Sequence, residues 1–297
     1  MEANLRGRLP WLHMAHTWGH LKDQSLRHLG LAEPPERART EAIIARSCDM
    51  LIASTDREKF FVTWSYGVDP DRVRIVPCGV DTGLFSPADR SIARQELGLK
   101  DSGTLLIFVG RLDSVKGIDV LLRALSLLRQ RLFHAEVPSL LVIGGEATPG
   151  EAERLACTAS QLGIADLVSF IGPVPHHRLP SYYRAADLLV MPSLYESFGM
   201  SLLEAMACGI PVVATKVDGP SNFVRQGVTG LLVPVGDVTA LAEAVERLIV
   251  DKHMRLQMAK NALTSVLHYR WEAVAQSILE AYADTLCPVV RQRRLAV

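Results

Sequence analysis

Met191–Pro211 reads MPSLYESFGMSLLEAMACGIP. An apolar run, Asp187–Met191, leads into it and reads as a strand. Gly199–Ala207 has helical character, and Gly209 with Pro211 stops it. Two carboxylates, Glu196 and Glu204, stand eight residues apart, with the small-residue turn Ser197-Phe198-Gly199 after the first. One carboxylate therefore lies on a loop at a strand's carboxyl end, and the other about one turn into the next helix. Between them lie the backbone N–H groups of a helix N-terminus, a ready anion site. A carboxylate for sugar hydroxyls, an N-terminus for a phosphate and a second carboxylate for a ribose diol would together hold a nucleotide sugar. Taken alone, the Glu-x7-Glu spacing fits a plain amphipathic helix with a solvated Glu and a turn Glu just as well.

The flanking residues decide between the two. ESFGMSLLEAMACGIPVVAT, Glu196–Thr215, resembles the donor-site segment of retaining GT-B glycosyltransferases of family 4, the glycosyl transferases group 1. The usual form there is E-S-F-G-x-x-x-x-E-A-x-A-x-G-x-P-V-V-A, and the match is nearly continuous. The resemblance implies an α/β chain of GT-B type, with two Rossmann-like doubly wound domains, the first incomplete. It assigns Glu204 to the ribose and Glu196 to the transferred sugar's hydroxyls. Phe198, Gly199, Met200 and Ser201 would offer backbone N–H groups to phosphate or sugar.

A second constellation sits upstream. In FVGRLDSVKGID, Arg111 and Lys116 follow the apolar run Leu105–Val109. Two fixed cations at a strand's mouth, beside a helix N-terminus, can stabilise a departing diphosphate without a metal. By itself R-x4-K is a solvated loop, but G-R-L-x-x-x-K-G-I-D is similar to the family's diphosphate clamp. Phe170–Val174 resembles the segment whose main chain pairs with the base, and Val174 is the implied contact. His16-Thr17 with Lys22 resembles the active-site histidine segment, which implies His16 facing the donor sugar and Thr17 and Lys22 on the acceptor side. The implied catalytic set is His16, Arg111, Lys116 and Glu196.

Other patterns read as structure. His13-x2-His16-x3-His20 has no accompanying carboxylate or cysteine cluster, so no metal site is expected. Asp69-Pro70-Asp71 is a D-x-D, but its Pro favours a turn before a strand. Gly144-Gly145-Glu146 follows a strand and loosely matches a family loop near the donor. Asp218-Gly219-Pro220 and Asn222 stand where the family commonly has Gly-Gly and Glu, so the donor-loop contacts there are open.

Strand and helix signals alternate along the chain. Leu12–Ala15, Met50–Ser54 and Val73–Pro77 read as strands, and Glu36–Arg46 and Thr55–Trp64 as helices between them; Thr55-x-x-Glu58 is a capping box. Cys78–Asp89 reads as a turn-rich link. Beyond it the βα rhythm continues through Leu231–Pro234, Thr239–Ala262 reads as one long helix, and Arg270–Leu286 as a last one. The expected organisation is 1–89 as the remnant of an N-terminal acceptor-side domain, 90–269 as the donor domain, and 270–297 as a helix crossing back, with its tail. The first domain is small and has no Gly-rich loop before Arg111, so the chain is expected to be N-terminally truncated.

Composition sets the outer bounds. The chain has 297 residues with 32 basic and 32 acidic side chains, and no basic excess points to nucleic acid. Five dispersed cysteines without a CxxC pair suit a reduced, cytoplasmic protein. No apolar run is long enough to span a bilayer, which needs about 18 residues, so at most a peripheral membrane contact is open.

The function expected is hexosyl-type transfer from a UDP-, GDP- or ADP-sugar to an unknown acceptor hydroxyl. It would retain anomeric configuration, independently of metal and with no required cofactor. The alternative is a non-catalytic nucleotide-sugar-binding remnant of such an enzyme; a GT-B epimerase or phosphorylase is a weaker third reading. HMAHTWGHLKDQ and VPCGVD lean towards the sucrose-phosphate-synthase-like and mycothiol-glycosyltransferase-like branches.

Overall fold

The structure, a computed structural model, describes residues 10–26, 33–132 and 137–286. They divide into two compact units, Met1–Gly79 with Tyr269–Val297, and Val80–His268. Residues 287–297 of the expected tail lie outside the described residues.

The first unit is built on three parallel strands in the order β1 (Leu12–Met14), β2 (Met50–Ala53) and β3 (Val73–Ile75). Between them run α1 (Gly19–Leu26), α2 (Pro35–Ser47) and α3 (Asp56–Tyr66). Strand β2 is apolar throughout because both its faces are covered, as a central parallel strand requires. Leu51 and Ala53 point into a cluster with Trp18, Phe61, Val62 and Tyr66. Met50 and Ile52, one residue out of phase, pack with Val76, Val274 and Ala281. The last two sit on the C-terminal helix, α12 (Trp271–Leu286), which closes that face.

Helix α3 starts as its cap residues foretell: Thr55 Oγ1 accepts from the Glu58 N–H, and the Glu58 carboxylate accepts from the N–H and Oγ of Ser54. Helix α1 is not among the helices the sequence marks. Its first N–H is capped from a distance, by Glu41 of α2 at 2.8 Å, and no local motif marks that.

The second unit has six parallel strands in the order β6-β5-β4-β7-β8-β9. They are β4 (Leu105–Val109), β5 (Ser139–Ile143), β6 (Val168–Gly172), β7 (Leu188–Met191), β8 (Val212–Thr215) and β9 (Gly230–Val233). Helix α4 (Arg90–Glu96) precedes them, and α5 (Ile118–Arg131), α6 (Glu151–Gln161) and α7 (Leu179–Ala185) connect β4 to β7. Helices α8 (Met200–Ala207), α9 (Asp218–Ser221) and α10 (Val238–Val250) follow, then α11 (Lys252–Val266). The long helix expected over Thr239–Ala262 is two. Asp251 ends the first and caps the second through the Met254 N–H, while Arg255 donates to the carbonyls of Leu248 and Ile249. The core lies between sheet and helices, around Leu106, Phe108, Leu122, Leu125, Val190 and Leu241.

The chain winds outward from β4 to β6, then returns to β7 and winds the other way. The reversal falls between the adjacent strands β4 and β7. In such sheets ligands bind outside the carboxyl ends of the strands at that reversal.

Residues 80–89, read from the sequence as a link, pack within the second unit. Phe85 is buried against the rings of Tyr183 and His176, and Arg184 donates to the carbonyls of Leu84 and Ser86.

Candidate functional site

Two loops leave the strands that flank the reversal. Gly110–Gly117 follows β4 and carries Arg111 and Lys116; Pro192–Gly199 follows β7 and carries Glu196. They are interlocked. Leu194 donates its N–H to the Val115 carbonyl at 2.8 Å. Gly117 has φ of +68°, and a Cβ there would lie 2.1 Å from the Pro192 carbonyl oxygen, so the backbones meet where a side chain would stand. The loop after β7 is tied on its other side as well: Gly219 of α9 donates to the Glu196 carbonyl, and a Cβ on Gly219 would lie 2.4 Å from the Phe198 carbonyl oxygen.

This locking brings Lys116 and Glu196 together although eighty residues separate them. Nζ lies 2.6 Å from Oε2, with both side chains largely buried. The pair is a charge-assisted hydrogen bond in a shielded crevice, where it is stronger than on an open surface. Arg111 shares the loop but is 69% exposed, its guanidinium 3.5 Å from Asp113.

Helix α8 begins beside Glu196. Leu202 and Leu203 donate to the Gly199 carbonyl, so the N–H groups of Gly199, Met200 and Ser201 stand ahead of the intrahelical ladder. The Phe198 ring is core, stacked on Phe223 at 5.3 Å. Ser201 Oγ contacts the Met191 sulfur.

Glu204 faces the same end of the sheet from within α8, and its side chain is 8% exposed. Tyr183 donates its hydroxyl to Oε2 at 2.8 Å, and His176 Nε2 lies 2.9 Å from Oε1. Burial, and then the neighbouring carboxylate, holds the Tyr183 hydroxyl well above the ordinary tyrosine range, so it stays a donor. Neither partner was foreseen. Tyr183 lies on α7, and His176 lies on the turn after β6, 28 residues before Glu204. Half-buried Val174 is two residues before His176 on that same turn.

His16, Thr17 and Lys22 belong to the first unit. His16 is exposed on the turn between β1 and α1. Thr17 Oγ1 donates to the His16 carbonyl, and Lys22 is paired with Glu33 at 2.7 Å. The three histidines occupy separate settings. His13 lies between the rings of Trp11 and Trp18, where burial lowers its pKa; His20 stacks on Phe61. Among the described residues no group of three or more His, Cys, Asp or Glu side chains is placed to hold a metal. Asp69-Pro70-Asp71 is a turn, with Asp69 Oδ1 accepting from the Asp71 N–H. Asn222 donates to the Asp218 carbonyl within its own short helix.

Known families and structures match this architecture. The family profile described as Glycosyl transferases group 1 matches residues 89–265, and that of Glycosyltransferase Family 4 matches residues 1–84. The chain belongs to the glycosyl transferases group 1 family. Among curated relatives of this group 1 chain is the D-inositol 3-phosphate glycosyltransferase of Frankia alni. It is 39% identical over 286 residues, covering 95% of this chain and 70% of the relative. The protein of that name from Acidothermus cellulolyticus is 38% identical over 287 residues, covering 96% and 64%. The chain thus spans about two thirds of the length of these curated relatives. Among solved structures, sucrose-phosphate synthase from Thermosynechococcus elongatus superposes with a TM-score of 0.85 at 32% identity, over 96% of this chain and 71% of that one. Anabaena Alr3699/HepE in complex with UDP-glucose gives 0.81 at 23% identity, over 95% and 74%. The fold of this family member is of the GT-B type. Among its described residues no helix is long and apolar enough to cross a membrane.

Proposed function

We propose that this chain binds a nucleotide sugar in its second unit and transfers the sugar, with retention and without a metal, to an acceptor hydroxyl. One observation carries the reading: Lys116 and Glu196, from loops on the two sides of the strand reversal, meet at 2.6 Å beside the N-terminus of α8. A cation, a carboxylate and the N–H groups of a helix N-terminus converge where a doubly wound sheet takes its ligands.

In the reaction proposed, the acceptor oxygen attacks the anomeric carbon on the face from which the diphosphate leaves. The carbon–oxygen bond to phosphate breaks, its electrons pass to the phosphate, and a phosphate oxygen takes the acceptor's proton. Arg111, Lys116 and the N–H groups of Gly199, Met200 and Ser201 would stabilise that growing charge. Glu196 would exchange its bond to Lys116 for sugar hydroxyls, releasing the ammonium to the diphosphate. Glu204 would hold the ribose and the Val174 main chain the base. His16 is assigned to the donor sugar, and Thr17 and Lys22 to the acceptor side. Residues 1–79 with α12 would form the acceptor side, and residues 80–268 the donor side.

Because HepE was solved with UDP-glucose, uridine nucleotides head the donor panel, followed by GDP and ADP forms. The curated relatives' name makes inositol 3-phosphate the first acceptor to try. The test is calorimetric. Glu204→Ala should weaken UDP itself, whereas Glu196→Ala should spare UDP, by freeing Lys116, and weaken UDP-sugar. Where turnover is measured, Arg111→Ala and Lys116→Ala should each cost about 2–4 kcal/mol of transition-state stabilisation, and chelator should leave the rate intact. Failure of wild type to bind any of the three nucleoside diphosphates overturns the reading.

A further inference from the structure

We infer that His176 is a positioning residue for ribose recognition, holding the Glu204 carboxylate so that it can accept a vicinal diol. The inference rests on the nucleotide reading above and adds a residue and a selectivity to it.

A carboxylate has two oxygens and about four lone-pair sites. A cis-diol that binds it bidentately needs one lone pair on each oxygen, in one plane and facing one way. Glu204 has one protein partner on each oxygen. Tyr183 takes one site on Oε2 at 2.8 Å, and His176 takes one on Oε1 at 2.9 Å. One site per oxygen remains. With a donor on each oxygen the carboxylate cannot turn about its terminal torsion without breaking a bond. With Tyr183 alone it could pivot about the Oε2 contact.

The two donors differ in setting. Tyr183 is fully buried beneath Glu204, whereas the His176 side chain is 64% exposed, so His176 marks the solvent side of the carboxylate. The imidazole is itself braced, edge-on to buried Phe85 with ring centroids 5.1 Å apart. His176 also ends the turn that carries Val174. A short rigid path, with Pro173 and Pro175 on either side of Val174, thus joins the proposed base contact to the group that orients the ribose carboxylate. Base and ribose recognition are coupled through one turn.

The geometry therefore assigns this protein a preference for ribonucleotides over 2′-deoxyribonucleotides that depends on His176. Calorimetric or fluorescence titration should compare UDP with 2′-deoxy-UDP, and GDP with 2′-deoxy-GDP, on wild type, His176→Ala and His176→Gln. The glutamine amide nitrogen can replace Nε2 as donor. His176→Ala should weaken the ribonucleotide about tenfold, the value of one hydrogen bond to a charged acceptor. It should leave the deoxynucleotide within about threefold, so that the discrimination ratio collapses while thermal unfolding is unchanged. His176→Gln should restore most of the ratio. An unchanged ratio in His176→Ala overturns the inference even if overall affinity falls, because a merely structural role would weaken both ligands alike. Tighter ribonucleotide binding by His176→Ala overturns it too, since His176 would then be a competitor for Oε1. If wild type binds neither pair, the nucleotide reading falls first and this inference with it; if wild type binds both pairs without discrimination, nucleotide binding stands while the ribose assignment of Glu204 and this inference fall.

Discussion

Replacing Gly117 with alanine tests whether the two interlocked loops make the site. The methyl carbon would start 2.1 Å from the Pro192 carbonyl oxygen, and such contacts are essentially never under 3.0 Å. The loops must therefore part by about 0.9 Å. That is enough to strain the 2.8 Å bond from Leu194 to Val115 and the 2.6 Å pair of Lys116 with Glu196. The substitution also forces a non-glycine residue to φ of +68°, at a cost of about 1–2 kcal/mol. Gly163 supplies the control: it has the same φ of +68° with nothing within 4 Å of its would-be Cβ. Gly163→Ala should thus show the backbone cost alone, a fall in melting temperature of roughly 2–8 °C for a unit of this size. Gly117→Ala should lose that and about 2 kcal/mol more for the strained contacts, and should bind UDP at least about tenfold more weakly. Differential scanning calorimetry and titration of the two variants read both quantities. Equal melting temperatures, with Gly117→Ala binding UDP like wild type, would refute the argument that this close approach builds the site.

Two further outcomes follow from buried groups. Arg94 is buried and donates to the carbonyls of Ala185, Asp101 and Gly103 as well as to Asp187, so Arg94→Met should destabilise the second unit by about 3–5 kcal/mol in denaturant unfolding, and a loss under 1 kcal/mol would count against that network. Burial pushes the Cys208 thiol up to about 12 and Cys78 up to about 11, and raises Cys48 as well; the reactive thiolate therefore forms only as pH rises far above neutral. Of the four described cysteines, exposed Cys157 alone should label with a maleimide at pH 7, and peptide mapping that finds Cys208 labelled in the folded protein would contradict this burial.

Much of the second unit was legible because its signals are local. Strands buried on both faces appear as apolar runs, and Leu105–Val109 and Leu188–Met191 stand where the sequence puts them. Caps such as Asp237, which accepts from the Ala240 N–H, mark helix starts within four residues. What stayed hidden depends on distant partners. Helix α1 owes its first hydrogen bond to Glu41, which also accepts from Arg37 and Tyr66, and GHLKDQSL has little amphipathic pattern of its own. His176 and Tyr183 reach Glu204 from two other elements, and no spacing rule links them. The site residues named from the sequence came from a family resemblance, which carried Arg111, Lys116, Glu196 and Glu204. The ion pair between Lys116 and Glu196 was not readable, because it arises from the order of strands in the sheet.

The first unit takes its last helix from the far end of the chain. Val274 and Ala281 of α12 cover Met50, Ile52 and Val76, and the Trp271 ring lies so close to Gly79 that a Cβ there would meet it at 2.7 Å. On the ribosome this face of β2 emerges early and stays uncovered while residues 80–268 are made. The second unit is continuous, so it can finish folding before the first acquires its closing helix. A frameshift or premature stop near residue 270 would therefore be felt first around residue 50. Nascent chains stalled before Trp271 would offer chaperones an exposed sheet face at the amino end while their second unit is already complete.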